Sequence, residues 1–188
     1  MKHNKVLLNK INNLDLEPII FSLVEKEEGN NWSIEKAMSV EVQYREFLYL
    51  LCTFTEESIV PNGDIDDFWH THILDTKKYF EDCDYLCGRY LHHFPYLGTR
   101  GKNDEIKLDI SFQNTKNIYK SVFNKEFDSN SSYCDGSRQC GGDNTLTASY
   151  CDGSRQCGGD DNTVNLKKYE RPKLSSYSEK GKIALTIQ

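Results

Sequence analysis

The sequence has no run of apolar residues approaching the roughly 20 that a membrane-spanning helix needs. Near the N-terminus, Val6-Leu7-Leu8 is interrupted by Asn9-Lys10 and is too short for the core of a signal peptide. We therefore expect no membrane contact and a cytoplasmic location. Positive charge is not in excess either, because the formal net charge is -6. General nucleic-acid binding needs a basic face that neutralises phosphates, so we expect no nucleic-acid partner.

Apolar residues are also scarce, at 37% of the 188 residues, and they are unevenly placed. Before about residue 127 they recur at helical spacing, whereas between 128 and 163 almost none are large. Segments that are poor in apolar residues cannot bury enough surface to fold by themselves. The sequence therefore predicts a helical domain over residues 1–127, a low-complexity segment over 128–163 and a basic, extended tail over 164–188.

Within the first of these regions, the spacing of apolar residues predicts an all-α, compact bundle of four to five helices. Pro18 suits the first turn of a helix, so the earliest stretch divides into two pieces. Ser33 and Asp64 are the expected N-caps of two later helices. The helices are predicted over the ranges 5–27 (in two pieces), 34–54, 65–82 and 104–124.

Four of the five histidines lie in two short segments that are also rich in aromatic residues. Neutral imidazole is a good metal ligand and titrates near neutral pH. On a regular helix, His70 and His72 point about 200° apart, so one ion cannot bind both. Asp67 precedes His70 by three residues on the same face, where its carboxylate can orient the ring or bind a metal itself.

We therefore predict a metal site that draws on these histidines, with zinc as the most suitable divalent transition metal. Its candidate ligands are Asp67, His70, His72, His92 and His93, of which His70, His92 and His93 form the preferred set. The second interpretation is that the same side chains only pack the segment 90–98 against the helix, around Trp69, Phe94 and Tyr96. No established zinc motif such as His-Glu-x-x-His is present, so both interpretations stay open.

The seven cysteines fall into two groups. Cys52, Cys83 and Cys87 are expected to be core residues, since buried cysteine usually behaves as a small apolar side chain. The others belong to an internal repeat, because residues 132–143 are identical to residues 149–160. The repeat cysteines form a possible thiol site made of Cys134, Cys140, Cys151 and Cys157.

The spacing of the repeat cysteines, Cys-x5-Cys-x10-Cys-x5-Cys, is wider than that of tight zinc sites. Three uses stay open: a small disulfide loop in each repeat, loose binding of a soft metal, or modification of the repeats as substrates. The last interpretation rests on an analogy with modified peptides, in which a folded leader precedes short duplicated cores. A low-complexity linker expanded by replication slippage is the fourth interpretation.

A longer motif resembles a known family. It comprises Asp67-Phe68-Trp69-His70-Thr71-His72, then Tyr79 and Asp82-Cys83, and later His92-His93-Phe94-Pro95-Tyr96. These residues are similar to those of the glycine-rich domain-containing protein-like family, and its shorter bacterial members look closer than its plant members. The resemblance covers about residues 30–125. It implies a helical domain and no particular activity.

The function that we expect is that of a small metal- or thiol-responsive binding protein, with the histidine cluster as its site. One alternative is a metal-dependent enzyme or a self-modifying precursor that acts on its own cysteine-containing repeats. Another alternative is a metal-free interaction scaffold. Phosphate-binding glycine loops and the Gly-x-Ser-x-Gly nucleophile motif are absent from the sequence. The expected partner is a protein or peptide.

Overall fold

The computed structural model describes residues 4–25, 30–127 and 171–175. Within these residues the chain forms six α-helices and no strand, so the predicted all-α class is confirmed. The helices are α1 (Lys5–Asn12), α2 (Glu17–Val24), α3 (Ile34–Thr53), α4 (Gly63–Leu74), α5 (Thr76–Cys87) and α6 (Lys102–Phe123). The cysteine repeat lies outside the described residues, and the domain boundaries at 128 and 164 stay predictions.

Helix α3 is the centre of the bundle and packs against α1, α2 and α4. It begins at the predicted N-cap, Ser33, whose hydroxyl accepts a hydrogen bond from the Lys36 amide at 3.1 Å. Five of its residues at three-four spacing are buried: Ala37, Val40, Tyr44, Phe47 and Leu48. A sixth, Leu51, is half-buried. The three-four spacing of apolar residues therefore located the central helix well.

The single helix predicted over 65–82 is two helices, which raises the count to six. Asp75 leaves the helical conformation (φ -79°, ψ 70°), and its carboxylate accepts a hydrogen bond from the Lys78 amide at 3.2 Å. Asp75 thus ends α4 and caps α5, a local role that acidic residues perform well. The N-cap of α4 is Asn62, bonded to the Ile65 amide at 2.8 Å, so the prediction of Asp64 was wrong.

The segment 88–101 connects α5 to α6 without forming a helix, and both of its ends are held by hydrogen bonds. Near its start, the Tyr79 hydroxyl donates to the Leu91 carbonyl at 2.5 Å. Near its end, the Asp104 carboxylate accepts from the Gly98 amide at 2.7 Å. These two anchors fix the path of the second histidine-rich stretch across the end of the bundle.

Helix α6 buries the apolar face that its spacing predicts, which includes Leu108, Phe112 and Tyr119. Its buried Thr115 hydroxyl accepts from the Val60 amide at 2.8 Å and donates to the Ser111 carbonyl at 3.0 Å. Although α6 is long, charged residues interrupt it throughout. None of the helices in the described ranges has both the length and the apolar character that crossing a bilayer requires.

Candidate metal centre

Three side chains with metal-binding atoms converge at one end of the bundle: Asp66, His70 and His93. One ligand atom from each lies within 4.8 Å of the others. The Asp66 Oδ1 atom is 2.9 Å from His93 Nε2, and its Oδ2 atom is 3.7 Å from His70 Nδ1. The two imidazole rings contact each other with centroids 4.5 Å apart. We call these three residues the Asp-His cluster.

Two separate parts of the chain supply the cluster. Asp66 and His70 are four residues apart on α4, a spacing that places both on one helical face. His93 comes from the segment 88–101 and crosses over that face. The side chains of Asp66 and His93 are only 13% and 14% exposed, whereas that of His70 is 36% exposed. The cluster is therefore shielded on its inner side and open on its outer side.

The donor set fits a divalent transition metal. Bonds of about 2.0–2.1 Å in a tetrahedral zinc site place neighbouring ligand atoms roughly 3.3 Å apart. In the structure the two imidazoles approach different oxygens of the Asp66 carboxylate, at 2.9 and 3.7 Å, and one ligand atom from each residue lies within 4.8 Å of the others, so the side chains would close in slightly around an ion. Two imidazole nitrogens with one carboxylate oxygen are typical zinc or non-haem iron ligands. Three protein ligands would leave at least one coordination position for water or another ligand.

His93 is held in place by an aromatic hydrogen-bond chain. Its ring packs edge-on against Trp69, with centroids 4.6 Å apart. The indole N–H of Trp69 donates to the Tyr79 hydroxyl at 2.8 Å, and that hydroxyl donates to the Leu91 carbonyl. Burial raises the pKa of Tyr79, so its hydroxyl keeps the proton that it donates. His93 is therefore in contact with α4 directly, and Tyr79 of α5 acts on it through Trp69 and Leu91.

A cleft of about 370 Å³ opens beside the cluster and is bordered by Asp66 and His93. Much of its wall is apolar, contributed by residues such as Leu91, Leu97 and Leu108. Binding sites for small molecules commonly combine an apolar wall with a few convergent polar groups. The cleft therefore lies beside Asp66 and His93, whereas His70, the most exposed member of the cluster, does not line it.

The structure brings together two of the predicted ligands, His70 and His93, and adds Asp66 where the sequence pointed to Asp67. Residues three and four positions before a histidine share its helical face, so spacing alone did not separate the two carboxylates. The crossing segment selects Asp66, because His93 contacts it directly. His92 lines the neighbouring cleft instead, exposed and with its ring against Tyr90 at 4.9 Å.

His72 lies apart from the cluster and is only 1% exposed. Its Nδ1 atom is 2.8 Å from the Tyr44 hydroxyl, and its Nε2 atom is 3.0 Å from an Asp82 carboxylate oxygen. Burial lowers the pKa of His72, although the carboxylate opposes that effect. The ring is therefore neutral at pH 7, donating from Nε2 and accepting at Nδ1. Both nitrogens are used in the core, and neither faces the Asp-His cluster.

Helical spacing places Asp75 on the same face as His72, so spacing did not identify the carboxylate that His72 contacts. Asp82 reaches it from α5 and also contacts the Lys78 ammonium at 3.0 Å. Burial raises the pKa of Asp82, but the hydrogen bonds from His72 and Lys78 outweigh it and leave the pKa below its usual range. These residues form a buried polar network that joins three helices.

The structure agrees with the packing interpretation at Trp69 and differs from it at Phe94 and Tyr96. Trp69 is buried at the junction as expected, but Phe94 and Tyr96 are 55% and 60% exposed and pack on each other. Leu91 is only 3% exposed and is the residue of this segment that packs into the core.

Among the cysteines expected in the core, Cys83 is buried. Cys52 and Cys87 are half-buried, and all three cysteines of the described ranges are reduced. Burial, together with the neighbouring Cys87 thiol, raises the pKa of Cys52. The thiol site predicted at Cys134, Cys140, Cys151 and Cys157 lies outside the described residues.

Comparison with known proteins places this helical region in context. The sequence model of the UCP032817-like family matches residues 8–117. The chain is 30% identical over 114 residues to glycine-rich domain-containing protein 2 of Arabidopsis thaliana, which covers 58% of this chain and 14% of the plant protein. Glycine-rich domain-containing protein 1 of the same plant is 35% identical over 89 residues, covering 45% and 11%. The chain thus spans a small part of these relatives, and no solved structure matches it.

Proposed function

The chain belongs to the UCP032817-like family, whose name carries no activity, and from its own geometry we propose that it is a metal-binding protein. The metal is a divalent transition ion, zinc foremost, held by Asp66, His70 and His93. The observation that carries the proposal is the convergence of three ligand atoms within 4.8 Å from two separate parts of the chain. The resemblance to plant glycine-rich domain-containing proteins supports shared descent and adds no activity.

The surroundings of the cluster favour a metal-binding site rather than a group of side chains that serve only for packing. Packing alone does not require a histidine that is one-third exposed beside a carboxylate. The aromatic contact with Trp69 orients the His93 ring, which lowers the conformational cost of binding an ion. The ion would supply Lewis acidity at its open coordination position. In the protein itself, Asp66 would balance part of the charge and the imidazoles would bind as neutral ligands.

The proposal is tested by elemental analysis of the full-length chain, purified without an affinity tag and then equilibrated with zinc. One equivalent of zinc is expected in the native chain. His70→Ala should lose it while retaining the native helical circular dichroism, because that side chain is partly exposed. His92→Ala is the matched control, since His92 is a neighbouring exposed histidine outside the cluster, and it should keep the metal. Zinc absent from the native chain would refute the proposal.

The tail cysteines require a separate variant. A full-length chain in which Cys134, Cys140, Cys151 and Cys157 are all replaced by serine should still bind one zinc ion, because the proposed site contains no thiol. Loss of zinc from this variant, with retention in His70→Ala, would place the metal on the repeats instead. The repeat cysteines, and not the histidine cluster, would then be the metal-binding site.

A metal-dependent enzyme is the second candidate, and the cleft beside the cluster is the observation that favours it. Asp66 and His93 border the cleft and are two of the three proposed ligands, so a molecule in the cleft would lie beside the proposed metal site. The cysteine repeats are one candidate substrate. Mass spectrometry of the zinc-loaded chain, first intact and then as proteolytic peptides, tests this idea. A mass change confined to residues 132–160 in the native chain, but absent in His70→Ala, is the expected result.

A further inference from the structure

Two half-buried thiols, those of Cys52 and Cys87, lie beside each other at the ends of two helices. Cys52 is in the last turn of α3, and Cys87 is the final residue of α5. The Arg89 guanidinium connects these helix ends, because it donates to the Leu51 carbonyl at 2.8 Å. That hydrogen bond joins positions close to both cysteines in the sequence, so the fold itself keeps the two thiols adjacent.

Both cysteines line one groove of about 210 Å³, which is bordered by α1, α3 and α5. A small reagent that enters this groove therefore reaches the two thiols from the same side. Among the described residues that line the groove, Lys10 of α1 is the charged one. Its ammonium is fixed there by a hydrogen bond to the Tyr85 carbonyl at 2.6 Å. The groove thus favours a reagent that carries negative charge.

The third cysteine of the described ranges, Cys83, is placed differently. It is 2% exposed and does not line the groove. Although Cys83 and Cys87 are one helical turn apart, the Cys87 thiol meets the Cys83 carbonyl oxygen, at 3.6 Å. Closeness in the sequence therefore favours a pair of Cys83 with Cys87, whereas the fold favours Cys52 with Cys87.

We propose that Cys52 and Cys87 are a redox-active pair, which closes to a disulfide by exchange with a low-molecular-weight, anionic disulfide. The bond would join the end of α3 to the start of the segment 88–101. The proposal is independent of the metal centre, because it uses neither the Asp-His cluster nor the cleft beside it. It is also independent of the repeat cysteines.

The exchange has two balanced steps. The Cys87 thiolate attacks one sulfur of the small disulfide, whose S–S bond breaks, and the released half takes up the proton that Cys87 lost. Cys52 then attacks the Cys87 sulfur of the mixed disulfide, and its proton leaves with the second half. The two protein thiols lose two electrons, and one small disulfide becomes two thiols.

The order of these steps follows from the surroundings of Cys52. Burial raises the pKa of Cys52, and the adjacent Cys87 thiol raises it further. Because the thiolate is the reactive form, Cys52 is the poorer first nucleophile. It reacts second, when the mixed disulfide on Cys87 is held next to it and the attack is intramolecular.

The test uses a full-length chain in which the four repeat cysteines are replaced by serine, which we call the three-thiol chain. It is incubated with oxidised glutathione, an anionic disulfide, then alkylated in denaturant and analysed by mass spectrometry with peptide fragmentation. Cys83 should be the alkylated residue, and a disulfide should join Cys52 to Cys87. The same reaction in urea should favour Cys83 with Cys87, because the shorter loop closes more readily.

Two variants of the three-thiol chain separate the steps. Cys52→Ser should stop at the mixed disulfide and keep one glutathione on Cys87. Cys83→Ala is the matched control and should still form the disulfide. A lasting glutathione adduct on the three-thiol chain, a bond to Cys83 in the folded chain, or no reaction before unfolding would each overturn the proposal.

The anionic preference has its own measurement. Lys10→Gln should slow the reaction with oxidised glutathione by about threefold and leave the reaction with uncharged hydroxyethyl disulfide unchanged. Lys5→Gln is the control, since Lys5 is an exposed lysine of α1 that does not line the groove. Equal effects of Lys10→Gln on the two reagents would show that the preference for negative charge is wrong.

Thermal unfolding supplies a further check on the geometry. A crosslink between two helix ends restricts the unfolded chain, so the oxidised three-thiol chain should melt on the order of 10 °C higher than its reduced form. An oxidised form that is no more stable would show that the fold must distort to close the bond. The two thiols would then not be a pair that the fold prepares for oxidation.

Discussion

The Oδ1 atom of Asp66 lies 2.9 Å from Nε2 of His93, across 27 positions of the sequence. This contact joins helix α4 to the segment 88–101. Because both residues are proposed metal ligands, the order of the segment and the affinity for the metal become linked properties. A change that releases the segment should weaken metal binding even when no ligand is altered.

Tyr79→Phe tests that linkage. The substitution removes a hydroxyl that serves both the Trp69 indole and the Leu91 carbonyl, both in the interior. We expect a loss of about 1–3 kcal/mol in the free energy of unfolding, since a buried polar group loses its partner. Zinc affinity should fall as well, because Leu91 precedes His93 by two residues. Urea unfolding and zinc titration measure the two effects.

Tyr85→Phe is the matched control for that experiment. Tyr85 lies on the same helix, is 46% exposed, and its hydroxyl makes no hydrogen bond within the described ranges. The control should change neither property. If Tyr79→Phe lowered stability and left zinc affinity intact, the segment would not control the position of His93.

His72→Leu separates the buried histidine from the proposed metal ligands. The variant leaves the Tyr44 hydroxyl and the Asp82 carboxylate without their buried partner, so the free energy of unfolding should fall by at least about 2 kcal/mol. Zinc stoichiometry should remain that of the native chain. Combining it with Tyr44→Phe should cost less than the sum of the two single changes, as a double-mutant cycle would reveal. Additive losses, or loss of zinc, would contradict the assignment.

The Asp104 carboxylate predicts a defined loss of stability in acid. Hydrogen bonds from the Arg100 guanidinium lower the pKa of Asp104 to about 2, against about 3.9 in an unfolded chain. A carboxyl group whose pKa is lower in the folded state stabilises that state above the unfolded pKa. That contribution is complete above about pH 4 and disappears as the pH falls towards 2.

Thermal unfolding between pH 5 and pH 2 measures the effect. Asp104→Asn should be less stable than the native chain at pH 5, and the difference should shrink as the pH approaches 2. Arg100→Gln should reduce the acid sensitivity too, because it removes the guanidinium that lowers the pKa. A constant difference between Asp104→Asn and the native chain across this range would exclude the carboxylate as its cause.

Thr115 offers a matched pair of substitutions in the core. Thr115→Val keeps the shape but removes the hydroxyl that accepts from the Val60 amide. A buried amide without an acceptor should cost about 1–3 kcal/mol of unfolding free energy. Thr115→Ser keeps the hydroxyl and loses only a methyl group, so it should cost about 1 kcal/mol. If valine were tolerated better than serine, the hydrogen bond would be of little importance to the fold.

Much of the fold could be predicted from periodicity and capping. The central helix was located from Ser33 and its apolar stripe, and the last helix, predicted over 104–124, is observed at Lys102–Phe123. Pro18 lies in the first turn of α2 as expected. The break at Asp75 was missed because a one-residue interruption leaves the apolar spacing almost unchanged. The non-helical backbone of Asp75 and its capping contact with Lys78 distinguish two helices from one.

The candidate site could be predicted less completely, since two of its three residues were found and the third was displaced by one position. Spacing defines which residues share a face, but the crossing of a distant segment selects among them. His93 approaches Asp66 because Tyr79 and Asp104 anchor the segment that carries it. Tyr79 belongs to the longer motif but gave no sign of this contact, and Asp104 lies outside that motif. The pairing of Arg171 with Asp75, 96 positions apart, had no local sequence signal at all.

The contact between Trp69 and His93 provides the protein with a built-in optical reporter. The chain has two tryptophans, and the other, Trp32, packs beneath the Lys36 ammonium at 4.1 Å. In a Trp32→Phe background, the emission would come from Trp69 alone. Its indole lies edge-on to the His93 imidazole, which would pass from a metal-free to a metal-bound state. Occupancy of the site could then be followed by fluorescence in real time, without any added dye.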